Sequence, residues 1–337
     1  MTGEASAVDL PSFDDLVAAH GRLQGRVRRT PVLTSPEFDA RVDRQVFFKC
    51  ENLQYVGAFK FRGAMNALLL LEQQVQQQSA NGGRVARVVA THSSGNHGAA
   101  LARAARELGW RGLVVVPRDS SPVKLAAIEA AGAELVRCEP GLAAREVALA
   151  GVIERTGAVV VHPFDDSRVI AGQGTATLEL LADYPVFDVL TTPVGGGGLL
   201  AGTAIAAKRM APTCKIVGAE PAMADDAARS FHGGTRVGMS GSPATIADGL
   251  RGSIGVRPYA LFRQWVDDVV TVSEAAIVQA MRVALEDLKI LIEPSSAVPL
   301  AALIEGRIGK PGDRIGVIIS GGNVDLSVCP FLAGKTR

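Results

Sequence analysis

The chain has 337 residues, of which 47% are hydrophobic and 20% charged, and its formal net charge is +1. This length suits two cores of ordinary size, and scattered basic residues with no net excess argue against a nucleic-acid partner. No apolar run reaches the roughly 18 residues of a membrane span, and the first residues lack the pattern of a signal peptide. The composition predicts a cytoplasmic protein without membrane or nucleic-acid partners.

The four cysteines, Cys50, Cys138, Cys214 and Cys329, are far apart and form no CxxC pair. Without a sign of export, this spacing predicts reduced and mostly buried thiols rather than disulfides or a zinc site.

From about residue 84 onward, short β-branched runs alternate with Ala- and Leu-rich runs. The predicted strands are Val85–Ala90, Leu113–Pro117, Glu134–Cys138, Val159–His162, Val189–Val194, Ile216–Glu220, Val269–Val272 and Ile315–Ser320. The predicted helices are Ala99–Leu108, Val123–Ala131, Ala143–Arg155 and Gly198–Met210. Such alternation indicates βαβ crossovers and buried parallel sheets, hence an α/β fold.

Two stretches interrupt this alternation. The polar segment Gln73–Gly83 is predicted to be a surface loop or hinge. Residues 222–266 contain several Gly, Pro and Ser without a clear period. A long irregular connection in a compact protein is typically functional or mobile.

The segment Gly57–Gly63 (GAFKFRG) places Lys60 between two aromatic residues, directly before a helical run. Apolar neighbours desolvate an ammonium group, which lowers its pKa and favours the nucleophilic amine. The alternative is a solvated lysine at a helix start.

The segment Thr91–Gly98 (THSSGNHG) lies between a predicted strand and a predicted helix. Such a turn directs backbone N–H groups toward one point, which suits a carboxylate or phosphate. The alternative is an ordinary polar N-cap. His92 and His97 are interpreted as structural residues rather than metal ligands.

The segment Pro193–Leu200 (PVGGGGLL) again joins a strand to a helix, and its four glycines form a phosphate cup. A rival interpretation is a dinucleotide site, because Gly196, Gly198 and Ala201 fit the fingerprint and Glu220 follows the next strand. A dinucleotide leaves the other two segments unexplained, whereas a phosphorylated aldehyde bound to a lysine explains all three.

Seven motifs, FKFRGA, SSGNHG, PVGGGGLLAG, AEP followed by ADD, TIADG, IEPSSA and SGGN, together resemble the serine/threonine dehydratase and serine racemase family. These are pyridoxal-phosphate enzymes of fold type II, similar to the tryptophan synthase β chain. The likeness runs from about residue 12 to 330. It implies two sheet-rich, three-layer domains: a large domain of residues 1–76 and 167–337, and a small mobile domain of residues 77–166.

The resemblance also implies roles for the cofactor-binding residues. Lys60 would hold pyridoxal phosphate covalently and later act as the base, with Phe59 packed on the pyridine ring and Asn96 on its phenolic oxygen. Gly195, Gly196, Gly197 and Gly198 would bind the phosphate, and Ser320 would face the pyridine nitrogen.

The same likeness assigns Ser93, Ser94, Asn96 and His97 to the carboxylate of an amino-acid substrate. Ser94 would stand opposite Lys60, where racemases use a serine to move the α-proton. The alternative is that Ser94 only contacts the carboxylate, as in dehydratases.

Glu220, Asp226 and the carbonyl of Ala224 match the metal site of the family. Oxygen ligands alone imply Mg²⁺ or Ca²⁺. The alternative is a pair of surface acids.

The resemblance predicts β-elimination from L-threonine or L-serine, because a serine at the pyridine nitrogen makes the ring a weak electron sink. The alternatives are a serine racemase, a dehydratase of threo-3-hydroxyaspartate, and a non-catalytic phosphate-binding protein, which would not need Lys60. Ala99 stands where animal serine racemases have a glutamine that helps to bind a nucleotide, so nucleotide activation is not expected. Gly252 stands where they have a serine near the substrate, so the exact contacts to the substrate carboxylate or side chain stay open. A homodimer is expected.

Overall fold

The computed structural model describes residues 8–81, 86–239, 241, 243–329 and 331. Its strands are β1 (Val32–Leu33), β2 (Gln45–Cys50), β3 (Val88–His92), β4 (Arg111–Pro117), β5 (Glu134–Cys138), β6 (Val159–Val160), β7 (Val189–Pro193), β8 (Lys215–Pro221), β9 (Asp268–Val272) and β10 (Arg314–Ile319). Its helices are α1 (Phe13–Leu23), α2 (Pro36–Val42), α3 (Lys60–Ala80), α4 (Asn96–Leu108), α5 (Pro122–Ala131), α6 (Leu142–Thr156), α7 (Ser167–Asp183), α8 (Gly198–Met210), α9 (Asp226–Gly233), α10 (Val256–Trp265), α11 (Glu274–Asp287) and α12 (Pro294–Ile304).

The strands form two sheets, one in the order β1-β2-β10-β7-β8-β9 and the other in the order β5-β4-β3-β6. Neighbouring strands are parallel except for the edge pair β1 and β2. Parallel pairing needs crossover helices that cover both faces, and β7 is accordingly buried at every residue. The predicted α/β class with parallel sheets is confirmed. The strands of the smaller sheet all fall within residues 77–166, but the two-domain division and its mobility stay predictions.

Glycines let three helices, α3, α7 and α8, contact one another through their backbones. A Cβ atom on Gly172 of α7 would stand 2.6 Å from the Cα of Gly63 in α3. A Cβ atom on Gly202 of α8 would stand 2.6 Å from the backbone nitrogen of Gly174. The abundance of small residues in the sequence therefore serves close helix packing, with α3 held against α7.

The prediction of a loop over Gln73–Gly83 is wrong for the residues that the structure describes, because α3 continues to Ala80. Leu71 and Val75 are buried one helical turn apart, while the glutamines around them are exposed. Glutamine is a good helix former, so a narrow apolar stripe suffices to dock the helix. Residues 82–83 and Val85, the predicted start of β3, lie outside the described residues.

Residues 222–266 are only partly irregular, because they contain α9 and α10. The carboxylate of Asp165 accepts the backbone N–H groups of Val256 and Arg257 at 3.0 and 2.9 Å, which caps α10 from a distant part of the chain. A local sequence pattern does not reveal such a cap. The predicted helix Val123–Ala131, by contrast, is confirmed as α5, which has Pro122 as its first residue and Gly132 as its C-cap.

All four cysteines are free and buried, as predicted. Among the helices of the described residues, none is long and apolar enough to cross a membrane.

Candidate active site

Lys60 is the first residue of α3, and it is partly buried. Its ammonium donates to the carbonyl of Pro163 at 2.7 Å and stands 4.9 Å from the centroid of the Phe59 ring. Burial lowers the pKa of Lys60 to about 8, while Glu293 opposes that change. The predicted desolvation is therefore present. Phe61 belongs to a different hydrophobic cluster from Phe59, so the two aromatic rings do not enclose the Lys60 ammonium from both sides.

The backbone before Lys60 is tied to the end of β10. The N–H of Phe59 donates to the carbonyl of Ser320 at 2.9 Å, and the N–H of Gly322 donates to the carbonyl of Gly57 at 2.9 Å. Ala58 forms an isolated antiparallel bridge with Gly321. This pairing brings Ser320, which directly follows β10, next to the lysine.

Arg62, in the first turn of α3, is held by three other buried charged residues. We call the four residues, Lys49, Glu51, Arg62 and Glu179, the charge quartet. The Arg62 guanidinium donates to Glu51 at 2.7 and 2.8 Å and to Glu179 at 2.8 Å through two of its nitrogens. The Lys49 ammonium donates to Glu179 at 2.6 Å. All four are at most 3% exposed. Two positive and two negative charges cancel, so the quartet is complete without a ligand.

The segment Ser93–His97, here called the serine turn, joins β3 to α4. The N–H groups of Ser94, Gly95 and Asn96 donate to no acceptor among the described residues, and the hydroxyl of Ser94 is likewise without a partner there. His97 is buried, its Nε2 lies 3.1 Å from the Val161 carbonyl, and burial lowers its pKa to about 3. The turn therefore offers free donors to an anion, while His97 is an uncharged packing residue behind them.

Glu293 is a site residue to which the sequence assigned no role, although it lies in the IEPSSA motif. Its two carboxylate oxygens accept the side-chain amide of Asn96 at 2.9 and 3.0 Å, and Asn323 donates to the Asn96 carbonyl at 2.9 Å. Burial raises the pKa of Glu293, while Lys124 and Lys60 oppose that rise. These contacts fix the amide plane of Asn96, the residue expected at the cofactor's phenolic oxygen.

The segment Gly195–Gly198, here called the glycine turn, joins β7 to α8. Gly197 has a φ of +86°, and a Cβ atom on Gly196 would stand 2.1 Å from the Phe164 ring. The N–H groups of all four glycines donate to no acceptor within the described part of the chain. Free N–H groups at the N-terminus of a helix suit a phosphate.

Ser320 belongs to a buried pair of hydroxyls. Its Oγ lies 2.8 Å from the Oγ of Ser296, at the start of α12. Ser296 also accepts the N–H of Gly321 at 2.6 Å. We call Ser296 and Ser320 the serine pair; Ser296 lies in the IEPSSA motif, but the sequence assigned it no role.

These features fit the parts of pyridoxal phosphate. A desolvated amine suits its aldehyde, the glycine turn suits its phosphate, and the uncharged hydroxyl of Ser320 suits its pyridine nitrogen. The dinucleotide interpretation fails at Glu220, because that carboxylate accepts the N–H groups of Ala227 and Ala228 at 3.2 and 2.8 Å and is buried beneath α9.

Glu220 and Asp226, here called the acidic pair, are both fully buried. Burial and the neighbouring Asp226 raise the pKa of Glu220 well above its usual range, and burial raises the pKa of Asp226 to about 6. The Oδ1 of Asp226 and the carbonyl of Ala224 have no hydrogen-bond donor among the described residues. No group of three or more His, Cys, Asp or Glu side chains suited to a metal occurs in that part of the chain. The oxygens of Glu220, Asp226 and Ala224 suit a hard cation, whose remaining ligands would be further carbonyl oxygens or water.

Residues 23–321 match the family described as pyridoxal-phosphate-dependent enzyme. A β-hydroxyaspartate dehydratase from Paracoccus denitrificans is 41% identical over 322 residues, which cover 96% of this chain and 99% of the relative. A serine racemase from Dictyostelium discoideum is 43% identical and covers 94% of this chain and 96% of its own length. The crystal structure of a T.th. threonine deaminase superimposes with a TM-score of 0.85 at 40% identity, over 94% of this chain and 99% of that one. The chain therefore belongs to the pyridoxal-phosphate-dependent enzymes of fold type II, among dehydratases and racemases.

Proposed function

We propose that the chain is a threonine/serine ammonia-lyase, which removes water from L-threonine or L-serine by β-elimination and so yields a 2-oxo acid and ammonia. One observation carries this proposal. Lys60 donates to the carbonyl of Pro163, the next residue, Phe164, packs on Gly196 of the glycine turn, and the N–H of Phe59 donates to the carbonyl of Ser320, so short contacts link all three groups.

When bound, pyridoxal phosphate supplies an electron sink for the α-carbon of the amino acid. Lys60 would hold it and, once released as a free amine, would take the α-proton, a task that suits an amine whose pKa burial lowers to about 8. The free N–H groups of the serine turn bind the carboxylate of the amino acid. A serine at position 320 would not stabilise a protonated ring nitrogen as a carboxylate does, so the ring would be a weaker electron sink. We therefore expect rapid loss of the β-hydroxyl rather than return of the proton.

Two other activities use the same residues, and each is favoured by a similarity. The relative from Dictyostelium discoideum is a serine racemase, and the one from Paracoccus denitrificans is a β-hydroxyaspartate dehydratase. Racemisation needs an acid on the face opposite Lys60. Ser94 is our candidate because its hydroxyl is half-buried and free of protein partners within the described residues. A dehydratase of threo-3-hydroxyaspartate differs from our proposal only in the β-substituent.

The central test is Lys60→Ala. It is expected to abolish ammonia release and the visible absorbance that arises when an amine condenses with pyridoxal phosphate. Lys215→Ala is the matched control, because Lys215 is exposed at the start of β8. A Lys60→Ala protein that keeps both signals after dialysis would overturn the proposal.

The choice between elimination and racemisation is tested with L-serine and a chiral assay. We expect 2-oxo acid to form faster than D-serine, and Ser94→Ala to remove D-serine formation while elimination stays measurable. D-serine as the main product would favour the racemase. Loss of both activities in Ser94→Ala would reduce Ser94 to a substrate contact. Ammonia release from a panel of hydroxy amino acids, including threo-3-hydroxyaspartate, identifies the preferred substrate.

We further propose that Mg²⁺ or Ca²⁺ binds at Glu220, Asp226 and the carbonyl of Ala224, and that it stabilises the fold rather than taking part in the chemistry. The acidic pair supports this, since burial and repulsion by Asp226 raise the pKa of Glu220, and a bound cation would stabilise both carboxylates in their charged form. Movement of the small domain, the homodimer and the cytoplasmic location stay predictions.

A further inference from the structure

Residues 161–165 lie in the connection between β6 and α7 and contact two parts of the proposed site. The carbonyl of Pro163 accepts the Lys60 ammonium at 2.7 Å, and the ring of the next residue, Phe164, leaves no room for a Cβ atom on Gly196. Pro163 is buried. Whatever directs its carbonyl at Lys60 therefore decides where the amine rests when it is not bonded to a cofactor.

His162 holds this connection through one atom. Its Nδ1 accepts the N–H of Asp165 at 2.9 Å and the N–H of Phe164 at 3.4 Å. A neutral imidazole accepts only at the nitrogen that has no proton, so the proton of His162 is on Nε2. Burial and, to a lesser extent, His92 and Lys60 lower the pKa of His162 to about 4, while Asp165 opposes this change. The ring is therefore uncharged near neutral pH.

A rigid peptide group carries the effect of His162 to Lys60. The N–H of Phe164 and the carbonyl of Pro163 belong to one peptide group, which is planar and trans. In a trans peptide the N–H and the C=O point in opposite directions, so the atom that accepts the N–H also sets the direction of the carbonyl. The ring of His162 further packs edge-on against that of Phe164, with centroids 4.6 Å apart. One peptide plane thus has His162 at one end and the Lys60 ammonium at the other.

We propose that His162 is a positioning residue, whose Nδ1 fixes the peptide between Pro163 and Phe164 and thereby gives the free amine of Lys60 one resting position. This inference rests on the proposed function, in which Lys60 is the reactive amine. A lysine side chain is long and flexible, so an amine held in one place reduces the entropy cost of proton transfer.

Two substitutions at His162 separate its hydrogen bonds from its bulk. His162→Leu fills a similar volume but offers no acceptor. His162→Asn restores an acceptor, because the side-chain oxygen of asparagine accepts the N–H two residues further along in many turns. The matched control is His92→Leu. His92 is a second buried imidazole, its ring centroid is 5.3 Å from that of His162, and its Nδ1 has no hydrogen-bond partner within the described residues.

The experiment measures the pKa of Lys60 in the full-length protein without cofactor. Acetylation of Lys60 by acetic anhydride is followed across a series of pH values by mass spectrometry of the peptide. We expect a pKa of about 8 in wild type. In His162→Leu it should fall by about one pH unit, because the ammonium loses a well-directed acceptor. In His162→Asn and in His92→Leu it should stay close to the wild-type value.

Three outcomes of this measurement overturn the proposal. The first is a pKa of Lys60 in His162→Leu that is not lower than in wild type. The second is an equal fall in His162→Asn, where an acceptor is present. The third is an equal fall in His92→Leu, which would show that the packing of the rings, rather than the hydrogen bonds of His162, positions the connection.

The tautomer of His162 provides a test in wild type alone, so the proposal remains testable even if His162→Leu does not fold. Long-range ¹H–¹⁵N spectra of protein labelled with ¹⁵N-histidine should show the proton on Nε2 at pH 7, and a proton on Nδ1 overturns the proposal. Neither measurement needs bound cofactor. If wild type lacks the visible absorbance of a lysine-bound cofactor, the proposed function fails, while the tautomer and the pKa of Lys60 still decide this inference.

Discussion

The charge quartet and the acidic pair are both buried charged clusters, yet they differ in what they need. In the quartet, the guanidinium of Arg62 and the ammonium of Lys49 neutralise Glu51 and Glu179 through bonds of 2.6 to 2.8 Å. In the acidic pair, Glu220 and Asp226 repel each other and leave the Oδ1 of Asp226 without a donor among the described residues.

The difference separates structural charges from charges that await a ligand. A buried ion costs several kcal/mol unless it is paired, so a cluster that the chain balances itself serves the fold. A cluster that the chain leaves unbalanced is where we propose that an outside group binds. Lys60 belongs to the second kind, because its ammonium donates to the carbonyl of Pro163, which is uncharged, rather than to a carboxylate.

Arg62→Met tests the balanced cluster and has the largest expected effect. It leaves Glu51 and Glu179 with too little positive charge, which should lower the free energy of unfolding by about 3–5 kcal/mol. Urea denaturation of the cofactor-free protein measures this loss. The control is Arg87→Met, because Arg87 pairs with Glu72 at 2.7 Å but its side chain is 45% exposed. We expect a loss below about 1 kcal/mol there, and equal losses in the two variants would refute the distinction.

Lys60→Met tests an unbalanced charge and should have the opposite sign. In the cofactor-free protein the pKa of Lys60 is lowered from 10.5 to about 8. The folded state therefore binds fewer protons than the unfolded state between these pH values, and the buried ammonium destabilises the fold below them. Removing it should stabilise the cofactor-free protein at pH 7 by up to about 3 kcal/mol.

The pH dependence provides the control for this effect. The stability gap between Lys60→Met and wild type should be constant below pH 8 and shrink as the pH rises from about 8 toward 10.5, where Lys60 becomes neutral in both states. Denaturant midpoints at a series of pH values measure the gap. A variant less stable than wild type at pH 7 would show that contacts of Lys60, rather than its charge, dominate.

Occupying the acidic pair is the next test. At a hundredfold excess of Mg²⁺ or Ca²⁺ over the dissociation constant, the free energy of unfolding should rise by about 2.7 kcal/mol relative to protein in chelator. Asp226→Asn should abolish this gain. Asp14→Asn, a change at an exposed residue of α1, should not. Melting temperatures that are the same in chelator and in saturating metal would remove the basis for the cation site.

Glu293→Gln has the smallest expected effect. The substituted amide offers one oxygen where the carboxylate offers two to Asn96, so about one hydrogen bond is lost. Cofactor binding should weaken by about 1 kcal/mol, measured by equilibrium dialysis. Glu305→Gln, at an exposed position, is the control. Unchanged affinity in Glu293→Gln would mean that Asn96 is held by Asn323 alone.

The α/β class, the position of Lys60, the serine turn and the glycine turn could all be predicted from the sequence. Each depends on neighbouring residues, because a strand followed by a polar or glycine turn and a helix is a local pattern. The four-glycine run is likewise visible in the sequence alone. The structure adds the reason for two of the glycines, because Gly197 has a positive φ and a Cβ atom on Gly196 would overlap the Phe164 ring. The extension of α3 to Ala80 was not predicted, because its stripe of buried apolar residues is too narrow to be recognised among the glutamines.

The packing of the folded chain decides which distant groups contact these local motifs. Pro163 is 103 residues from the lysine that it holds, and Glu293 is 197 residues from Asn96. Ser296 and Ser320 come together because α12 begins beside the end of β10. Glutamate and serine are common on surfaces, and burial with a specific partner is what gives them a role. That information lies in the packing of the elements, which no local pattern contains.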